Sequence, residues 1–242
     1  MSQKQSIRER IWKKMVECNV SLFPPPYGRI PNFVGAEVAA QKLSQTIVWK
    51  DAQAIKVSPD SPQKPVRFMA LKQGIKVIVP TPRLKDGFLL LDPRTIPENR
   101  YEFASTIKGA FVYGKKVKVE DLPKIDMVVV GSVAVNLFGE RIGKGGGYSE
   151  IEWALVYEEG KVGESTPVAT TVHDIQVLEE RFETKAYDLI VDWIVTPTRI
   201  IKTKPLKGKP RGIYWQMLSS RKIHEIPLLF ERWKNRFHDK MV

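Results

Sequence analysis

Short apolar runs alternate along this chain with segments of helical period. Residues 3–18 place Ile7, Ile11, Met15 and Cys18 at helical spacing among lysines and arginines, which predicts a helix burying those four side chains. "GAEVAAQKLSQ", 35–45, predicts a second, short helix. "AIKVS" (54–58), "IKVIVP" (75–80), "GFLLLD" (87–92), "MVVVGSVAVN" (127–136) and "TPVATTVH" (166–173) read as strands, and "DLIVDWIVTPTRII" (188–201) completes the set. Between the first two strands, "SPDSPQKPVRFMALKQG" offers Asp60 or Ser61 as a cap, proline near a helix start and Gly74 as its stop. The prolines of "FPPPYGRIPNF" (23–33) exclude helix and central strand and leave an ordered, aromatic-rich loop. Apolar β-branched runs alternating with helices predict an α/β fold whose mostly parallel sheet is covered on both faces. Ligands in such sheets lie beyond the carboxyl ends of the strands.

The texture changes after residue 201. Lys202, Lys204, Lys207, Lys209 and Arg211 are broken by proline and glycine, and a helical pattern follows on either side of Pro227, with Leu228, Leu229, Phe230 and Trp233 available for burial. At about 40 residues, 203–242 is too short to fold alone. It is expected to extend, and pack on, a main domain of residues 1–202.

With 43% hydrophobic residues the chain can build a core, yet no apolar run reaches the roughly 18–20 residues that span a bilayer. The opening segment is charged rather than apolar, and the single Cys18 rules out an internal disulfide, so the cytoplasm is the expected compartment. A formal charge of +12 favours an anionic partner: a nucleotide, a polyglutamyl ligand or a nucleic acid. A lysine-rich solvated surface accounts for the same excess. The basic stretch before Tyr214 and Trp215 has the ingredients for RNA contact, but a linker leading into packed aromatics is the favoured reading. His173 and Asp174 are expected on opposite faces of a strand, not as a catalytic pair. His224 and His238 lack metal-ligand spacing, and no nucleophile elbow is present.

The densest chemistry lies in "GERIGKGGGYSEIEW", 139–153, with glycines at 139, 143, 145, 146 and 147. Glycines admit positive φ and close backbone approach, so consecutive N–H groups can cradle an anion. Arg141 offers a forked donor to phosphate and Lys144 a mobile point charge. Glu150 offers an oxygen ligand to Mg²⁺, with phosphate oxygens supplying more of the shell. The spacing matches neither the P-loop nor the Rossmann fingerprint, and a flexible surface hairpin is the plain alternative.

"GERIGKGGGYSE" resembles the 5-formyltetrahydrofolate cyclo-ligase signature, Gly-x-Arg-Leu-Gly-x-Gly-x-Gly-Tyr-Tyr-Asp. "KQSIRERIWKKM" is similar to that family's opening basic helix, "TPVATTVHDIQV" to its strand ending in a glutamine motif (here Gln176), and "KAYDLIVDWIVT" to its closing segment. The resemblance covers about residues 3–200. It implies a three-layer α/β/α sandwich, Rossmann-like. It also implies an ATP- and Mg²⁺-dependent ligase of one-carbon metabolism, converting 5-formyltetrahydrofolate, or a related 5-formyl reduced pterin, to the 5,10-methenyl form with release of ADP and phosphate.

Residue by residue, the resemblance puts Lys4 and Arg8 on the ATP phosphates and the loop Arg141, Ile142, Gly143, Lys144, Gly145, Gly146, Gly147, Tyr148 and Ser149 around nucleotide. Arg141, Lys144 and Tyr148 take the catalytic roles, and Glu150 and Asp188 hold the metal. Outside the resemblance, Lys4 and Arg8 are a solvated helix face and Asp188 a strand-start cap. Glu150 replaces the family's aspartate and Ser149 its second tyrosine. Asp60, in "KVSPDSPQKPV", is the only acid near the position where the family reads the pterin ring. The alternative is a nucleotide-binding member that has lost the chemistry and associates with RNA. The sequence leaves the oligomeric state open.

Overall fold

A computed structural model describes residues 2–238; Met1 and residues 239–242, at the ends of the two expected segments, lie outside it. Its core is an eight-stranded sheet: β1 (Ala54–Val57), β2 (Lys76–Pro80), β3 (Phe88–Leu91), β4 (Lys115–Val117), β5 (Met127–Val130), β6 (Val168–Thr171), β7 (Trp193–Val195) and β8 (Ile200–Lys202). The spatial order is β8-β7-β6-β5-β1-β2-β3-β4. Strands β7, β6, β5, β1 and β2 run parallel, and β8, β3 and β4 are added in antiparallel pairings.

Period-two alternation explains the layers. Ile55, Val57, Met127 and Val129 face one side, against Ile7, Ile11, Met15 of α1 (Gln3–Glu17), Ala39 and Leu43 of α2 (Ala36–Ser44), and Val66 and Leu71 of α3 (Lys64–Lys72). Ala54, Val128 and Val130 face the other, against Ile151 and Leu155 of α4 (Tyr148–Glu158) and against Ile226 and Leu229 near the C-terminal helices α5 (Ser220–Glu225) and α6 (Pro227–His238). Both faces are covered, which is why the central strands read as unbroken apolar runs. The result is a mixed α/β fold with a mostly parallel central sheet flanked by helices.

Several boundaries differ from the sequence reading. The run 127–136 is not one strand. It leaves the main sheet after Val130, and Ala134–Asn136 joins Arg141–Ile142 and Val177–Leu178 in a separate three-stranded sheet. The break falls at Gly131, where a Cβ would come within 3.0 Å of Asp60 Oδ2 and Gln63 Oε1. The segment 188–201 divides too, into the hairpin β7–β8. Pro197 supplies no donor there, and the Thr196 hydroxyl oxygen accepts from the backbone N–H groups of Thr198 and Arg199. Strand β3 runs antiparallel to β2 because the tight 81–87 connection is too short for a crossover. Edge strand β4 escaped the sequence reading; its exposed Lys115 and Lys116 blunt the sheet edge.

Cys18 is not in the core. Helix α1 ends at Glu17, Asn19 turns the chain away with φ 55°, and Cys18 is left exposed. His173 and Asp174 lie beyond β6 in a short 3₁₀ turn rather than on a strand. His173 Nδ1 accepts from Ile175 N–H, and Asp174 binds Thr196 and Thr198. The His238 side chain lies outside the described residues.

Candidate active site

A cleft of about 910 Å³ opens beyond the carboxyl ends of β1 and β2. All the residues singled out from the sequence, from Lys4 and Arg8 through 141–150 to Asp188, line it. Three features of the chain bring them together. The α1 buried stripe docks that helix with Lys4 and Arg8 turned towards the glycine loop. The small sheet ends in Arg141–Ile142 and delivers the chain into the loop. The loop then feeds α4 through Gly147, in the left-handed region at φ 69°, after Gly145 at φ 103°. L side chains rarely adopt either conformation. No described side chain caps α4, and its first turn lines the cleft with the positive end of the helix dipole.

The charges are arranged in pairs. Lys4 Nζ donates to Asp188 Oδ2 at 2.5 Å, and Lys144 Nζ to Asp60 Oδ1 at 2.8 Å. Arg8 Nε donates to the Gly143 carbonyl at 2.7 Å. Burial and the nearby Arg141 guanidinium lower the Arg8 pKa, opposed by Glu150 and Asp188. Arg141 is buried, with its guanidinium donating to Gly131 O at 2.7 Å and to Glu150 Oε1, while its Nε has no partner among the described residues. It therefore lies beneath the loop and braces Glu150, rather than presenting a free fork to the cleft. Asp188 also accepts from Lys185 N–H, so it is a turn cap as well as a lining carboxylate. Ile142, Gly143, Gly146 and Ser149 complete this part of the wall.

Glu150 and Asp188 line one cleft, on the same end of the sheet. No group of three or more His, Cys, Asp or Glu side chains able to hold a metal exists among the described residues. Two carboxylates suit only an ion that completes its shell with phosphate and water.

The sequence reading missed several neighbours. Lys56 of β1 and Glu152 of α4 form a buried ion pair at the floor of the cleft, where Glu152 joins the lining. Burial pushes the Glu152 carboxyl up, and Lys56 opposes this. A lysine inside the apolar run "AIKV" was the available signal. Arg83, at φ 57°, and Lys222, from the C-terminal segment, add two cations to the wall. Gln176 serves the frame: its amide donates to Ser132 O at 2.9 Å and accepts from His173 N–H at 2.8 Å, fixing the turn beside β5. In the basic stretch, Lys209 pairs with Asp192 at 2.9 Å and Arg211 with Glu164, while Tyr214 and Trp215 are half-buried.

Sheet and cleft together define an α/β protein with a cleft at the carboxyl edge of parallel strands, built on a glycine loop and a helix N-terminus. The chain belongs to the 5-formyltetrahydrofolate cyclo-ligase family, whose sequence profile matches residues 1–197. Methenyltetrahydrofolate synthase domain-containing proteins are similar to it: 41% identity over 230 residues for that of Bos taurus and 40% over 230 for that of Homo sapiens. Each alignment covers 93% of this chain, so the similarity runs past the family profile into the C-terminal segment, but only 60% of the relative. The solved 5,10-methenyltetrahydrofolate synthetase of Aquifex aeolicus shares the fold, with TM-score 0.53 and 20% identity over 84% of this chain and 94% of that one. No described helix is long and apolar enough to cross a membrane.

Proposed function

We propose that this chain catalyses the ATP-dependent cyclisation of a 5-formyl reduced pterin, 5-formyltetrahydrofolate or a close analogue, to its 5,10-methenyl form. The observation that carries the reading is the glycine loop. Two left-handed glycines and an uncapped helix start open onto a cleft ringed by Lys4, Arg8 and Lys144. That is the chemistry a polyphosphate needs: backbone donors, fixed positive charge and room for close approach. Lys4 and Arg8 bind the phosphates from α1, and Lys144 neutralises charge at the group being transferred. Arg141 acts from beneath by holding Glu150 in place. Tyr148 borders the pterin side of the loop.

Glu150 and Asp188 fit Mg²⁺ by the nature of their donors, hard carboxylate oxygens at one cleft. When bound, Mg²⁺ would neutralise phosphate charge. Each carboxylate now neutralises a cation, so binding would release Lys4 towards phosphate, while Arg141 keeps its hold on Glu150. The chemistry asked of the protein is positioning and charge neutralisation. The formyl oxygen takes the γ-phosphoryl group, N10 attacks the carbon so activated, and phosphate leaves.

A second reading is favoured by one observation. Asp60, the acid nearest the expected pterin-reading position, is held by Lys144. A member that binds nucleotide and has lost the chemistry would look like this. Incubation with ATP, Mg²⁺ and 5-formyltetrahydrofolate separates the two. Methenyl absorbance rising with phosphate release supports the first; nucleotide binding with neither signal overturns it in favour of the second.

A further inference from the structure

Tyr148, the first residue of α4, is held from outside the part of the chain that matches the family profile. Its hydroxyl donates to Glu225 Oε1, and Lys222 Nζ stands 3.9 Å from its ring centroid. Lys222 is also 3.6 Å from Glu225 Oε2. Both residues belong to α5, which is fixed in turn: the Ser219 hydroxyl accepts from Lys222 N–H at 3.2 Å, Ile223 is buried, and Ile226 just beyond is fully enclosed. On its other side the tyrosine ring lies against the loop. A Cβ on Gly146 would sit 2.8 Å from Tyr148 Cδ2 and 3.0 Å from Cε2, so only glycine lets ring and loop pack this closely. The ring is thus pressed between a helix with its own anchors and the most permissive backbone in the molecule.

We propose that Glu225 and Lys222 are positioning residues for the site: by clamping Tyr148 they select the glycine-loop conformation that opens α4 to the cleft. The inference rests on the reading of that loop as a nucleotide cradle. Three glycines in a row, 145–147, carry more backbone freedom than any neighbouring segment and lose more of it on ordering. The loop's own contacts are few: Arg8 holds Gly143 O, and Lys144 reaches Asp60. The clamp supplies the restraint at the other end of the loop. It works through one hydroxyl bond and one cation over the ring, both from α5.

Hydrogen exchange and Mg²⁺-ATP binding, measured together on the full chain, test this. Glu225 is partly exposed, so Glu225→Ala is expected to fold; Tyr148→Phe removes the same bond from the other side, and Glu225→Gln keeps an acceptor. Exchange of the 143–148 amides should quicken about tenfold in Glu225→Ala and Tyr148→Phe without ligand, with Glu225→Gln restoring protection in part. Mg²⁺-ATP should bind about fivefold more weakly in either single variant, and the double variant should add little, because both remove one coupled unit. A purely structural role would lower melting temperature and leave loop exchange and affinity alone. Unchanged loop exchange in a folded Glu225→Ala overturns the clamp. Weaker affinity with unchanged exchange overturns it too, since Glu225 would then act on ligand directly. Faster exchange in the variants of a parent that binds no Mg²⁺-ATP keeps the clamp and removes the nucleotide reading beneath it.

Discussion

Two kinds of ion pair stand a few residues apart in this molecule. Lys56 and Glu152 meet at the floor of the cleft with side chains 0% and 6% exposed. Lys144 and Asp60 meet at its rim, 41% and 17% exposed. The pairing chemistry is the same and the solvent is not. At the floor neither partner can be lost without leaving a charge in apolar surroundings, so the pair is a fixed strut between β1 and α4. At the rim, water takes over from either partner at little cost, so the pair can exchange its acid for an incoming anion. Depth therefore separates frame from site more clearly than residue type does.

The largest effect should come from breaking the deep pair. Glu152→Ala leaves the Lys56 ammonium buried and unpaired and should cost about 3–5 kcal/mol in urea unfolding. Replacing both by apolar residues of similar volume, Lys56→Met with Glu152→Leu, should recover most of that loss. A single-variant cost no larger than that of a rim pair would erase the distinction.

Arg141→Ala comes next, because Arg141 lies between the two extremes, buried yet tied to a cleft carboxylate. Loss of its brace on Glu150, a charge-assisted bond worth about 1.5–3 kcal/mol, should weaken Mg²⁺-ATP by up to that amount, read by calorimetry on folded protein. Gly145→Val should weaken it comparably by forcing a β-branched residue to φ 103°. Removing a cleft carboxylate, as Glu150→Gln or Asp188→Asn, should weaken Mg²⁺-ATP clearly more than ATP without metal. Equal losses in both titrations would take the metal role away from that residue.

Lys144→Ala should change stability by less than about 1 kcal/mol while weakening nucleotide binding. The smallest effect concerns pH. Burial pushes the Glu140 carboxyl up, but hydrogen bonds from Arg181, Phe182 N–H and Asn136 outweigh it and hold it below its ordinary value of 4.5. Its contribution is thus full above about pH 4.5 and lost as pH falls through the lower folded value. Glu140→Gln should flatten the acid limb of stability measured below that pH.

The layers and the place of the candidate site were legible because they follow from local rules. Period-two apolar runs gave the strands, helical spacing gave Ile7, Ile11 and Met15, and the glycines marked the loop. What was not legible depended on distant partners. Nothing near Gly131 in sequence says that Asp60 and Gln63 will crowd it and end β5. Nothing near Glu152 says that it turns from Glu150 towards Lys56, or near Arg141 that its fork will be spent on Gly131 and Glu150. Cys18 fits the helical stripe perfectly, and only the turn at Asn19 puts it outside.

That turn makes the molecule convenient to watch. The chain has one cysteine, and it is exposed at the far end of the helix whose first turns carry Lys4 and Arg8. A maleimide dye will attach at one place only. At 1.5 Å per residue along α1 it will sit about 21 Å from Lys4, within range of energy transfer to a labelled nucleotide. If the proposed reading holds, docking and departure of that nucleotide will be visible one molecule at a time, with no residue of the cleft altered.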